Sequence, residues 1–332
     1  MIISKTPFRI SFFGGGTDYP AWYKVNGGAV LSAAINKYCY ITCRYLPPFF
    51  DYKYRIRYYQ REEALRIKDI KHPAVRECLI FSKLNKGVDI VHHADLPAQS
   101  GLGSSSTFTV GLLHALSALK REMPTKRELA INAIHIEQVR IGENVGSQDQ
   151  SAAAFGGLNL IKFDAVHEIN VKQMLLPPAK MTNLQEHIML FFTGLSRNAS
   201  DVAKEQISLI PSKEKDLRQM ILLVEEGVNL LQDRRNSLDD FGRLLHEQWL
   251  IKRKMSSKIT NGDIDEIYRT GKNAGALGGK LMGAGGGGFM MFFVKPELQS
   301  RVKQALAKLL YVPVRFDDLG SQIIYHSHED EY

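Results

Sequence analysis

Hydrophobic and polar positions along the first half of the chain alternate in short runs that predict strands interleaved with helices. Ala29 to Thr42 reads as largely strand after the Gly27-Gly28 turn, and Tyr52 to Tyr59 alternates charged with apolar or aromatic residues. Val88 to His92 is a further strand-like run, followed by a helix-like run from Thr107 to about Leu119. A helix is expected over 127–140, opened by Thr125 with Glu128 three positions later, the pattern of a capping box. Its apolar residues at 129, 133, 136 and 139 share one face. Glu137 sits near its C-terminal end, where the helix dipole disfavours an acid, so a bound cation would explain it; a solvated surface glutamate is the plainer alternative.

Pro177-Pro178, followed by 180–183, marks the best boundary. Beyond it the pattern predicts a strand over 187–192, two long helical segments over 199–233 and 238–258, and a helix over 263–276. A buried-type strand is expected at 289–294, then a helix from Pro296 to near Leu310, and short strands at 312–316 and 322–326. The expectation is an α+β chain of two domains, 1–178 and 184–332, in which helices cover antiparallel sheet. A length of 332 residues suits two cores better than one.

Three glycine-rich stretches carry the candidate chemistry. In Leu96-Pro-Ala-Gln-Ser-Gly-Leu-Gly-Ser-Ser-Ser106 the glycines let the backbone curl, and the serines open a helix whose N–H groups converge where an anion is favoured. A phosphate suits that point, although a Ser-capped helix after a glycine turn has the same composition. No Gly-Lys-Ser/Thr follows, so this is no Walker A loop. The second stretch is Thr6-Pro-Phe-Arg-Ile-Ser-Phe-Phe-Gly-Gly-Gly-Thr-Asp-Tyr-Pro20, and the third is Gly278-Gly-Lys-Leu-Met-Gly-Ala-Gly-Gly-Gly-Gly-Phe289. Residues 283–288 satisfy the dinucleotide-binding pattern G-x-G-x-x-G, but a helix is expected before them and a strand after. That order argues against a nicotinamide-dependent oxidoreductase. Thr193-Gly-Leu-Ser-Arg-Asn-Ala-Ser200, between a strand and a helix, is a candidate second anion site through Arg197, or an ordinary capped helix.

In this order and at these distances, the three stretches resemble the motifs of the galactokinase, homoserine kinase, mevalonate kinase and phosphomevalonate kinase (GHMP) superfamily. Phe-Gly-Gly-Gly-Thr-Asp-Tyr-Pro and Gly146-Ser-Gln-Asp-Gln-Ser-Ala-Ala-Ala-Phe-Gly-Gly157 look like its heptose 7-phosphate kinase branch. The resemblance covers nearly the whole chain. It implies a ribosomal-S5-like N-terminal domain, a ferredoxin-like C-terminal domain and an active site between them.

Residue by residue, the resemblance makes Asp149 the catalytic base and Arg9 its basic partner, which stabilises charge on the transferred group. Ser100, Gly101, Leu102, Gly103, Ser104, Ser105 and Ser106 would cradle ATP. Ser105 and Glu137 would hold Mg²⁺ with oxygen ligands. Gly15, Gly16, Thr17, Asp18, Arg197 and Gly285 would meet the sugar, with Asp18 accepting from its hydroxyls. Galactokinases carry Glu-His at Gly15-Gly16, and the loss of two side chains implies room for a longer or differently substituted sugar. The implied reaction is phosphorylation of the anomeric hydroxyl of D-glycero-D-manno-heptose 7-phosphate to the 1,7-bisphosphate. A fucokinase-like or galactokinase-like sugar-1-kinase, or a sugar sensor without catalysis, stands as the alternative.

Composition changes little in this picture. With 44% hydrophobic and 23% charged residues the chain is that of a globular protein. Its net charge of +8 is scattered, without a run of five Lys or Arg, and suits a sugar phosphate partner as well as a polyanion. No nucleic-acid or membrane partner is expected, and a homodimer is compatible with the reading. Cys39, Cys43 and Cys78 have no zinc-like spacing and read as reduced thiols, and Lys5 and Arg9 interrupt any signal-like start, so a cytoplasmic location is expected.

Overall fold

The computed structural model describes all residues except 167, 196–198, 234–236 and 328–332, and leaves the side chains of 168 and 199 undescribed. In chain order the elements are β1 (Ile2–Phe13), α1 (Pro20–Asn26), β2 (Gly28–Tyr45), β3 (Tyr54–Arg57), β4 (Arg61–Ala64), α2 (Pro73–Phe81), β5 (Val88–Ala94), α3 (Ser104–Leu119), α4 (Lys126–His135), α5 (Gln148–Phe155), β6 (Leu158–Asp164) and β7 (Glu168–Gln173). There follow α6 (Pro178–Glu186), β8 (Ile188–Phe192), α7 (Ala199–Leu209), α8 (Glu214–Gln232), α9 (Leu238–Lys252), α10 (Gly262–Asn273), β9 (Gly278–Leu281), β10 (Phe289–Phe293), α11 (Gln299–Ala305), β11 (Leu310–Val312) and β12 (Gln322–His326).

Two sheets organise these elements. The eight-stranded sheet is built on β1 and β2, paired antiparallel along most of their length. The first part of β2 takes β6 on its outer side and the last part takes β5, which continues to β3 and β4. The second sheet, β11-β8-β10-β9, is antiparallel throughout. β8 (IMLFF) and β10 (FMMFF) lack polar alternation because this sheet's centre is buried on both faces.

The structure differs from the sequence expectation in several places. The 178–186 stretch is a helix, since Pro178 sits in its first turn, where proline is tolerated. The helix expected over 199–233 breaks at 210–212 around Pro211. A strand, β9, opens the third glycine stretch and stands between the expected helix, α10, and residues 283–288, and a strand follows them; the dinucleotide pattern still lacks its following helix. The last strand, β12, pairs with β1 in the first sheet, so the chain's end crosses back to its beginning.

α8 and α9 join the sheets. Phe241 of α9 packs edge-on against Phe12 and Phe13 of β1, with ring centroids 5.4 and 5.1 Å away. At Gly227 of α8 an added Cβ would lie 2.7 Å from the Phe13 ring, so only glycine permits that approach. A single hydrophobic core runs through both sheets.

Candidate active site

A cleft of about 350 Å³ opens between the two sheets. Its floor is the turn at 99–103 and the start of α3. Gln99, Gly101 and Gly103 all have positive φ. An added Cβ at Gly101 would meet the Met282 carbonyl oxygen at 2.7 Å, and one at Gly103 would meet the Asp149 carboxylate at 3.2 Å. These glycines therefore let the third glycine stretch and Asp149 close over the turn. Gly103 is the N-cap of α3, and no side chain caps the helix. The serines lie inside the first turn, which rules out the Ser-capped alternative. They leave the helix N-terminus aimed at the cleft, which Ser104, Ser105 and Ser106 line.

Asp149 stands in the first turn of α5 beside that terminus. Arg9 of β1 grips it with both ends of its fork: Nε donates to Oδ1 at 2.7 Å and Nη2 to Oδ2 at 2.8 Å. The remaining nitrogen, Nη1, donates to the Gly101 carbonyl at 2.8 Å, tying the pair to the turn. Asp18, which also lines the cleft, is 2% exposed. Its Oδ1 accepts from the Gly16 N–H at 2.9 Å and its Oδ2 from the Gln148 N–H at 3.4 Å. Burial, reinforced by Asp149, raises its pKa despite those bonds. An added Cβ at Gly146 would fall 1.8 Å from Asp18 Oδ2, so that glycine is where the carboxylate fits.

Glu137 lies behind the serines and does not line the cleft. It is fully buried and accepts from Ser106 Oγ at 2.7 Å, Thr109 Oγ1 at 2.9 Å, Ser105 Oγ at 3.3 Å and Gln150 Nε2. Burial pushes its pKa up to about 7, and nearby Glu143 adds to the rise. It faces inward because α4 does not continue to Arg140: a π-helical turn over Ile136–Ile141 widens the helix. That change of phase buries Glu137 and turns Val139, expected on the apolar face, outward at 68% exposure.

The structure brings Arg9, Gly15, Gly16 and Asp18 into the cleft with Gly101, Gly103, Ser104 to Ser106 and Asp149. Other expected site residues lie elsewhere. Thr17 is fully buried and does not line the cleft; its hydroxyl, with one proton to give, lies 2.8 and 2.9 Å from the Gly14 and Ala29 carbonyl oxygens, so it fixes the loop. Gly285 packs on Ile259, and Gly283 and Ala284 line the cleft instead. Leu102 is core, its carbonyl accepting from the Arg9 N–H at 3.2 Å, and Ser100 is 1% exposed with its hydroxyl unpartnered. Arg197 lies outside the described residues.

The sequence reading missed Tyr19, Glu143, Gln206 and Lys252, which also line the cleft. Lys252 carried a signal: it falls on the apolar face of α9, in step with Leu238, Phe241, Leu245 and Trp249, all buried. It is 5% exposed, and its Nζ donates to the Leu281 carbonyl at 3.0 Å and the Gly283 carbonyl at 2.5 Å.

Residues 70–157 match the GHMP kinases N terminal domain and residues 228–312 the GHMP kinases C terminal domain. The chain is 31% identical over 327 residues to the D-glycero-alpha-D-manno-heptose 7-phosphate kinase of Campylobacter jejuni, covering 92% of this chain and 93% of that one. The chain belongs to the GHMP kinase family. Kinases of that family use ATP. Among solved structures, a D-glycero-D-manno-heptose 1-phosphate kinase from Bacteroides thetaiotaomicron superposes with a TM-score of 0.80 at 25% identity, covering 99% of this chain and 100% of that one. The galactokinase of Lactococcus lactis, complexed with galactose, shares the GHMP kinase fold with a TM-score of 0.76 at 19% identity, over 97% and 94% of the two chains.

Proposed function

We propose that this GHMP kinase phosphorylates the anomeric hydroxyl of D-glycero-D-manno-heptose 7-phosphate at the expense of ATP. The observation that carries the reading is Asp149, locked by Arg9 at the uncapped N-terminus of α3 in the cleft that the buried Asp18 also lines. Likeness along nearly the full length to a heptose 7-phosphate kinase supports the choice of sugar. So does the absence of side chains at Gly15 and Gly16, which both line the cleft.

In this mechanism the N–H groups of the turn and of the first turn of α3 receive the nucleotide's phosphates. Asp18 accepts from sugar hydroxyls and fixes the ring. Asp149 accepts the proton of the attacking hydroxyl, whose oxygen forms the new bond to the γ-phosphorus. The bond from that phosphorus to the bridging oxygen breaks, and the electron pair leaves on ADP. Arg9 holds the plane of the carboxylate, so Asp149 meets the hydroxyl without reorganising.

The donor set behind the serines fits Mg²⁺. The hydroxyls of Ser105, Ser106 and Thr109 and the Glu137 carboxylate supply oxygen there, the Gln150 amide nitrogen being the remaining partner, and Glu137 is a buried acid whose described partners include no cation. Ser105 and Glu137 would hold the ion, which supplies charge neutralisation on the phosphates when bound. Ser105 makes the longest of the four bonds to Glu137 and is the hydroxyl most readily turned to the ion.

The test is a panel of sugars and sugar phosphates assayed by ADP release, with the product's phosphorus resonances assigned. Heptose 7-phosphate is expected to give the highest kcat/KM and a product phosphorylated at the anomeric carbon. Preference for fucose or galactose would overturn the choice of sugar, and no ADP release with any sugar would overturn the reading as a whole.

A further inference from the structure

Arg9 and Lys252 are the two cations among the described residues lining the cleft, and they are differently committed. Arg9 spends Nε and Nη2 on Asp149 and Nη1 on the Gly101 carbonyl. An ammonium has three N–H donors, and Lys252 spends two of them on the carbonyls of Leu281 and Gly283. The third remains for the cleft. None of its hydrogen-bond partners among the described residues is a carboxylate, and a buried ammonium on neutral carbonyls alone is costly to keep. Those carbonyls belong to the end of β9 and the loop after it, both within the third glycine stretch, where Met282 and Gly283 pack on Gly101 of the phosphate turn. The ammonium therefore stands at the meeting point of the two glycine-rich stretches.

We propose that Lys252 is a catalytic residue that donates to a non-bridging oxygen of the γ-phosphoryl group during its transfer to the sugar hydroxyl. The inference rests on the kinase reading above and on Asp149 as the proton acceptor. The transferred group then lies between the N-terminus of α3 and the ammonium, and both stabilise its charge. The surroundings of Lys252 agree with an anion arriving there. Burial holds its pKa down to about 7; Arg9 on β1 and Lys280 on β9 are like charges near it, while Asp18 and Asp149 offset them. Phosphate oxygens would favour the charged form.

The experiment compares Lys252→Met and Lys252→Arg with the wild type in kcat, melting temperature, and affinity for ADP and for β,γ-imido ATP. Lys252→Met is expected to lower kcat on the order of 10²-fold or more and to weaken the imido analogue about tenfold, while ADP affinity stays within about twofold. The wild-type kcat/KM should fall as pH rises through about 7, because the protonated lysine is the active form, and Lys252→Arg should lack that limb. Equal weakening of ADP and the imido analogue with a lowered melting temperature would mean that Lys252 only pins the glycine stretch, and would overturn the proposal. So would wild-type turnover in Lys252→Met. If Lys252→Met does not fold, the pH profile of Lys252→Arg decides. Both overturning outcomes leave an active wild type, whereas failure of the kinase reading leaves the wild type inactive on every sugar.

Discussion

Arg9 grips both oxygens of Asp149, which fixes the carboxylate and leaves lone pairs on it for a hydroxyl proton. Asp149→Asn keeps the shape but presents an amide N–H to the guanidinium and cannot take a proton. It is expected to lower kcat on the order of 10²-fold or more, with nucleotide affinity retained. Steady-state ADP release and a nucleotide titration check this, and near-normal turnover in a folded variant would remove Asp149 from the chemistry. The adjoining glycines make a sharper test of sugar binding. Gly146→Ala places a methyl where Asp18 Oδ2 now sits and must displace that carboxylate, so the KM for the sugar should rise about tenfold or more while ATP affinity holds. Bulk can also be restored at the mouth of the cleft. Gly16 has φ +107°, which strains any side chain, whereas an added Cβ at Gly15 meets nothing closer than Gln148 Nε2 at 3.7 Å. Gly15→His is therefore the variant expected to impair heptose 7-phosphate use selectively. Loss of ATP binding instead would show that the loop had been disrupted.

At the scale of elements, local patterns fared best where one residue type decides the backbone. The capping box at Thr125 and Glu128 forms as expected, with Thr125 Oγ1 accepting from the Glu128 N–H at 3.2 Å and Glu128 Oε2 from the Thr125 N–H at 2.7 Å. The turn at 99–103 was legible from Gly101 and Gly103. What stayed hidden depends on distant partners. β9 reads Gly-Gly-Lys-Leu, a poor strand by propensity, yet an added Cβ at Gly278 would lie 2.0 Å from the Gly242 carbonyl oxygen of α9. Those glycines serve the approach of helix to sheet, which a local pattern does not encode. The π-helical turn that buries Glu137 was equally invisible, because Thr109 and Gln150, which meet that carboxylate, come from α3 and α5. The packing of β5 on α2 and α3 gives a prediction of its own. His92 and His72 both contact the Phe108 ring, at centroid distances of 5.1 and 4.9 Å. Burial, with repulsion from His72 and His93, lowers the His92 pKa to about 4. The unfolded chain takes up a proton near pH 6.5 that the folded chain refuses until about pH 4. Stability contributed by neutral His92 should thus be complete above pH 6.5 and fall between 6.5 and 4, by about 2 kcal/mol once partial exposure is discounted. Denaturant titrations of wild type and His92→Gln at pH 7 and pH 5 check this, and equal slopes in the two proteins would refute it.

At the scale of the whole molecule, the cleft needs both sheets held in one arrangement, since Arg9, Asp18 and Asp149 belong to one half and Lys252, Gly283 and Ala284 to the other. Three features hold them. Phe241 wedges against Phe12 and Phe13. Lys280 of β9, 2% exposed, reaches across to the carbonyls of Ser11 and Phe12 at 2.8 and 3.1 Å. β12 leaves the C-terminal half and covers the edge of β1 from Ile2 to Lys5, while the neighbouring Ser321 shares a hydrogen bond with Thr6 at 2.8 Å. A strand edge left open would expose unpaired N–H and C=O groups. The chain is therefore expected to unfold as one unit despite its two sheets, giving a single calorimetric transition that a bound nucleotide raises without splitting. Removing residues 322–332 takes away β12 but none of the residues lining the cleft. The loss of its backbone pairing should cost a few kcal/mol and lower the melting temperature on the order of 5–10 °C, with kcat retained at low temperature. Two separate transitions in the intact chain, or an unchanged melting temperature in the shortened one, would show that β12 does not couple the halves and that the helical joint alone keeps the cleft in shape.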